Sequence, residues 1–153
     1  MSSSSLTNAD PVGAGWLGPV AQYFGQLVSR RDHVETARVA CEFWAKCARV
    51  AFSGCVRQRT TAVYGQWLRK LVTAMCDQMI YRDDVEASSF EMLRREAELA
   101  LDAVVRACPC QASLRATFRQ LLETRIESES WSEKEAVIRA LCVFTQSIGK
   151  WRS

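Results

Sequence analysis

YGQWLRKLVTAMCDQMI (residues 64–80), YRDDVEAS (81–88) and SFEMLRREAELALDAVVR (89–106) follow one another in the stretch that decides the fold. Tyr64, Trp67, Leu68, Leu71, Val72, Met75 and Met79 recur at the three-and-four spacing that gives a helix one apolar stripe. Phe90, Leu93, Ala97, Leu101, Val104, Val105 and Cys108 repeat that spacing. Tyr81-Arg82-Asp83-Asp84 interrupts the period with charge, which predicts an antiparallel helical hairpin whose two stripes face a common core. Such a pair needs further helices to cover it.

Upstream, Leu17, Val20, Phe24, Leu27 and Val28 predict a first helix from Trp16, with Pro19 in the opening turn where its missing N–H does no harm. Arg30-Arg31-Asp32 ends it. Asp32 and Glu35 have capping-box spacing for a second helix, whose stripe is Ala37, Cys41, Trp44, Ala48 and Phe52, with Gly54 as its stop. Cys55 to Thr61 reads as a loop. Downstream, Ser88 and Glu91 predict the cap of the fourth helix, and Pro109 predicts its end. Leu114, Phe118, Leu121, Leu122 and Ile126 continue as a fifth helix or as a bent extension of the fourth, and Ser132 with Glu135 opens a last helix running toward Gly149.

The expected fold is therefore all-α, a single-domain bundle of about five or six helices with an antiparallel central hairpin. Residues 1–13, rich in Ser and carrying Pro11 and Gly13, form a flexible N-terminal arm, and 14–153 form the bundle. Its expected core is Leu17, Phe24, Cys41, Trp44, Leu68, Leu71, Met75, Leu93, Leu101, Val104, Phe118, Leu122 and Leu141.

The chain has 153 residues, 48% of them hydrophobic and 24% charged, which fits one globular domain. Every apolar run is interrupted by charge well short of the roughly 18 to 20 residues of a membrane span, and the N-terminus lacks the pattern of a secretory signal. A cytoplasmic protein without membrane insertion is expected. The seven cysteines are expected to be reduced thiols, because disulfide frameworks belong to small secreted chains without a core. Cys108-Pro-Cys110 is a lone CxC, far from the single histidine, His33, so a four-ligand metal set is incomplete.

The net charge of +3 hides an asymmetry. Up to Arg82 there are ten basic residues against five acidic, and from Asp83 onward ten against twelve. Arg30, Arg31, Arg38, Lys46, Arg49, Arg57, Arg59, Arg69 and Lys70 can supply a phosphate-attracting surface or simply a solvated face. No nucleophile–base pairing with the one histidine and no glycine-rich phosphate loop is present, so neither catalysis nor a cofactor is expected. Trp131 and Trp151 flank the last helix and are candidate anchors for a protein partner.

Taken in order, several fragments resemble the coat proteins of rod-shaped, tobamovirus-like plant viruses. They are the Ser-rich arm, Trp16 with Pro19, Ala37-Arg38-Val39 followed by Phe43 or Trp44, Val56-Arg57, and Val63-Tyr64 leading to Leu71-Val72-Thr73-Ala74 with Arg82 beyond. Arg94-Arg95 before Ala103, Val105 and Arg106, and Glu127-Ser128 before Trp131, complete the series, which spans about residues 1–131. Where the family has Arg-Phe-Pro after its second helix, this chain has Arg57-Gln58-Arg59. The resemblance implies a helical bundle that self-associates around single-stranded RNA in a virion, with Arg82, Arg94, Arg95 and Arg106, then Arg57 and Arg38, facing phosphates. The alternatives are a non-enzymatic helical protein, viral or host, that binds a partner helix, or a suppressor that binds RNA through its basic half.

Overall fold

A computed structural model of the protein describes residues 17–53, 61–108 and 111–152. These residues form six α-helices: α1 Leu17–Val28, α2 Val34–Ser53, α3 Thr61–Gln78, α4 Ala87–Ala107, α5 Gln111–Arg125 and α6 Trp131–Arg152. The expected N-terminal arm and most of the expected 55–61 loop lie outside the described residues, as does the side chain of Leu17. No helix of the described chain is long and apolar enough to cross a membrane.

Local chemistry accounts for the helix ends. Cys108, which precedes Pro109, is extended at φ −71° and ψ 127°, as the proline ring requires of the residue before it, and this terminates α4. Gln111 then donates to the freed carbonyls of Cys108 at 3.1 Å and Val105 at 3.3 Å. The chain restarts as a separate α5, settling the choice between a fifth helix and a bent fourth one.

The three predicted capping boxes are replaced. Asp32 gives both carboxylate oxygens to Arg30, each at 3.0 Å, and Glu35 accepts from Arg38. α4 begins at Ala87 with Glu86 as its uncapped N-terminal residue, so Ser88 sits inside the first turn. α6 is capped by Ser130, whose Oγ accepts from the Glu133 N–H at 3.4 Å. Ser132 lies inside that helix, and Glu135 is committed to Arg94. A nearby cation outcompetes a backbone N–H for each carboxylate that is paired.

Contacts between helix ends fix the directions. At the end of α3, Gln78 donates to the carbonyls of Val28 and Arg30 at the end of α1, at 2.7 and 3.2 Å. Arg125 at the end of α5 reaches Asp77, again at the end of α3, at 2.5 Å. α1, α3 and α5 therefore run one way. α2, α4 and α6 run the other, with Arg94 paired to Glu135 near the starts of α4 and α6 and Arg139 to Glu98 one turn further on.

The core is continuous. Trp44, Leu68, Met75, Leu93, Leu101, Val104 and Phe118 are buried, as expected, together with Cys41 and Leu71. Phe24, Leu122 and Leu141 are only partly buried and pack on the rim of that core. Phe24 stacks on Phe43 with centroids 4.3 Å apart, where α1 meets the outer side of α2.

α3 and α4 do touch, but the principal partner of α4 is α2. Ala37, Ala40, Cys41, Ala48 and Ala51 on α2 and Ala97 and Ala100 on α4 are all buried. Small side chains on both surfaces allow the two axes to approach closely over most of their length.

Candidate nucleic-acid interface

The arginines singled out in the sequence fall into two regions at opposite ends of α4. The first lies where α1, α3 and α5 end. There Arg82 reaches both oxygens of Asp84 at 2.8 Å and the carbonyl of Arg31 at 2.8 Å. Its side chain is only 13% exposed, so it ties the α3–α4 link to the turn between α1 and α2. The pairing with Arg82 holds the Asp84 carboxyl down at about 2. Arg31 donates to the Asp77 carbonyl, and burial, reinforced by the neighbouring Arg82, lowers its pKa. Asp77 also receives Arg125. This network leaves little guanidinium surface for a ligand, and within it the Arg125 Nη1 and the Gln78 Oε1 are buried with no hydrogen-bond partner.

Arg94 belongs to the same end and points inward. Its residue is 7% exposed, its guanidinium pairs with Glu135, and its Cζ lies 5.3 Å from the Phe90 ring centroid. A phosphate cannot approach an arginine so enclosed without displacing Glu135. Arg38 is half-buried and bridges Glu35 at 2.5 Å and Glu42 at 3.7 Å. Arg95 is exposed on the outer face of α4. Arg57 lies outside the described residues.

Arg106 lies three turns beyond Arg94, near the end of α4. There the parallel α2 and α4 leave a groove of about 470 Å³, with Ala45, Ala48, Ala103 and Ala107 along it and Lys46, Arg49 and Arg106 around it. Lys46 pairs with Glu42 at 2.8 Å as an exposed pair that a ligand can exchange, and Arg106 reaches the largely covered Asp102 at 3.1 Å with its own guanidinium half-exposed. Among the described residues Arg49 has no carboxylate partner. Three long cationic side chains over a floor of alanines leave room for a linear polyanion to come close to the backbone.

The sequence put Lys46 and Arg49 in the basic half without joining them to Arg106. The available signal was the alanine spacing, Ala45 and Ala48 against Ala103 and Ala107, which marks where two helices leave a shallow seam.

Trp131 is 64% exposed, and its ring stacks on Tyr81 at 6.0 Å, while Tyr81 meets Phe90 edge-on at 5.7 Å. The side chain of Trp151 lies outside the described residues. His33 is exposed beside Asp32 and gives its carbonyl to the first turn of α2. Cys41, Cys47, Cys76, Cys108 and Cys142 are free thiols, and burial pushes Cys41 and Cys76 up to about 12. Among the described residues no group of three or more His, Cys, Asp or Glu side chains could hold a metal ion. No family model, no curated protein and no solved structure matches the chain.

Proposed function

We propose that this chain is a non-enzymatic single-stranded-RNA-binding protein, of the kind implied by its resemblance to rod-shaped virus coat proteins. The observation that carries the reading is the cationic groove of Lys46, Arg49 and Arg106 between α2 and α4. Phosphates neutralised there release condensed counterions, so binding is sequence-tolerant and weakens as salt rises. The arginine set implied by the resemblance is thereby narrowed: Arg106 stays, Arg95 is accessible to a second segment of RNA, and Arg82, Arg94 and Arg38 act within the bundle.

The test is fluorescence anisotropy of labelled oligo(rU) against salt for the wild type and for Lys46→Glu/Arg49→Glu/Arg106→Glu. Three lost phosphate contacts lower the log–log salt slope by about 2 and abolish binding at moderate salt, while helix content stays, since the three side chains are exposed. Unchanged binding in that variant, or no wild-type binding at low salt, overturns the reading. Electron microscopy with added RNA then separates a coat protein, which gives rods or discs, from a suppressor, which stays small. A protein-partner role is favoured by one different observation, the exposed Trp131–Tyr81 stack, an apolar anchor beside charged helix starts.

A further inference from the structure

We propose that the exposed Trp131–Tyr81 stack and the carboxylates around it form a docking site for an arginine-rich segment of a protein partner. The stack joins the α3–α4 link to the start of α6, at the end of α4 opposite the cationic groove. The inference rests on this stack as a partner anchor and not on the RNA-binding reading.

The aromatic pair is supported from inside the bundle. Phe90, buried in the first turn of α4, meets the Tyr81 ring edge-on at 5.7 Å. Tyr81 in turn lies nearly parallel to Trp131, with 25° between the planes and 6.0 Å between the centroids. Trp131 is held at the first position of α6 by the Ser130 cap, and the Ser130 N–H itself donates to the Ser128 Oγ at 3.0 Å. Tyr81 covers one face of the indole, and at 64% exposure the other face is open to solvent. Such a face attracts a cation through the ring quadrupole, and a guanidinium gains more than an ammonium because its plane stacks on the indole. The fold uses the same pairing one layer further in, where the Arg94 Cζ lies 5.3 Å from the Phe90 centroid.

Charge selects the partner. Across 78–86 and 126–135 the only cations are Arg82 and Lys134. Arg82 is committed to Asp84 and the Arg31 carbonyl. Asp83, Glu86, Glu127 and Glu129 are exposed and Glu133 is half-buried, and none of them forms an ion pair among the described residues. Acidic residues in a first turn answer the helix dipole, but Asp83, Glu127 and Glu129 precede the helices and Lys134 alone does not balance them. A phosphate backbone is repelled by this surface and a basic segment is drawn to it. The carboxylates sit on both links, so a run of arginines pairs with them while one guanidinium covers the open face of Trp131.

The experiment follows the fluorescence anisotropy of two labelled short peptides with the full chain, one alternating arginine with serine and the other lysine with serine. The wild type binds the arginine peptide several-fold more tightly than the lysine peptide. Trp131→Ala weakens the arginine peptide roughly tenfold and removes the preference, and Trp131→Phe, which keeps an aromatic face, restores most of it. Asp83→Asn/Glu127→Gln/Glu129→Gln weakens both peptides alike, keeps the arginine preference and flattens the salt dependence. The substituted side chains are exposed, so the circular dichroism of each variant matches the wild type. The groove variant Lys46→Glu/Arg49→Glu/Arg106→Glu keeps the arginine preference and Trp131→Ala keeps oligo(rU) binding, so the two readings fail separately. No binding of the arginine peptide at low salt, equal affinity of the wild type for both peptides, or binding unchanged in Trp131→Ala overturns the proposal. So does loss of oligo(rU) binding in Trp131→Ala, which places RNA on the stack. Self-association that Trp131→Ala abolishes, in a protein that binds neither peptide, places a second copy there and overturns it as well.

Discussion

Removing Glu135 should destabilise the protein more than removing Arg94, although the two form one ion pair. The side chain of Arg94 is 9% exposed and that of Glu135 is 34% exposed. Arg94→Met keeps the apolar stem packed in place and leaves Glu135 near water, with Arg139 still 3.8 Å away, so its cost falls to about 1 to 2 kcal/mol. Glu135→Leu strands a buried guanidinium with only the Phe90 ring for company, and breaking a buried pair in this way costs about 3 to 5 kcal/mol. The Nε of Arg94 has no hydrogen-bond partner even in the intact protein, so little remains to offset the loss. The double variant Arg94→Met/Glu135→Leu should return to within about 1 kcal/mol of wild type, because apolar replacement of both partners leaves no stranded charge. Urea unfolding followed by circular dichroism gives all four corners of the cycle. Equal costs, a costlier Arg94→Met or additive single effects would refute the reasoning. A fall in RNA affinity for a stable Arg94→Met would put the guanidinium back at the surface.

Other outcomes follow from burial and charge. Leu101→Ala, at a fully buried site between several helices, should cost about 2 to 5 kcal/mol in urea unfolding, whereas Leu99→Ala, half-exposed on the same helix, should cost under about 1 kcal/mol. Among the described cysteines, Cys142 should react first with a thiol reagent in the native protein and Cys41 and Cys76 only on unfolding, as labelling with mass spectrometry can show. Asp32 and Asp84 are held down at about 2 by hydrogen bonds from Arg30 and Arg82, against an ordinary 3.8. Their pairs therefore stabilise the fold fully above about pH 4 and are lost as pH falls from there toward 2. A urea midpoint that falls across that window in wild type and less in Asp84→Asn would confirm this, and an identical fall in both would contradict it.

Helix identity is written locally here. Apolar spacing from Tyr64 to Arg106 and the restriction that Pro109 places on Cys108 are properties of a few neighbouring residues, so α3, α4 and the stop after α4 could be read without a tertiary structure. Which helix packs on which could not. The partner of α4 follows from alanines on α2, and an alanine adds little to an apolar-stripe pattern while allowing the closest approach of two axes. The caps were misread for a related reason: Asp32, Glu35 and Glu135 have the right spacing for backbone N–H groups, but a guanidinium within reach competes better, and for Glu135 that guanidinium comes from another helix. The candidate site divides the same way. Sequence gave a basic first half and a set of arginines, but charge along a chain does not say which guanidinium is turned inward. The placement of α6 beside α4 pairs Arg94 with Glu135, and the directions of the helix ends bring Arg82 to the Arg31 carbonyl while it also holds Asp84. Only the parallel α2–α4 seam gathers Lys46, Arg49 and Arg106, residues up to 60 apart in the chain, into one cationic groove.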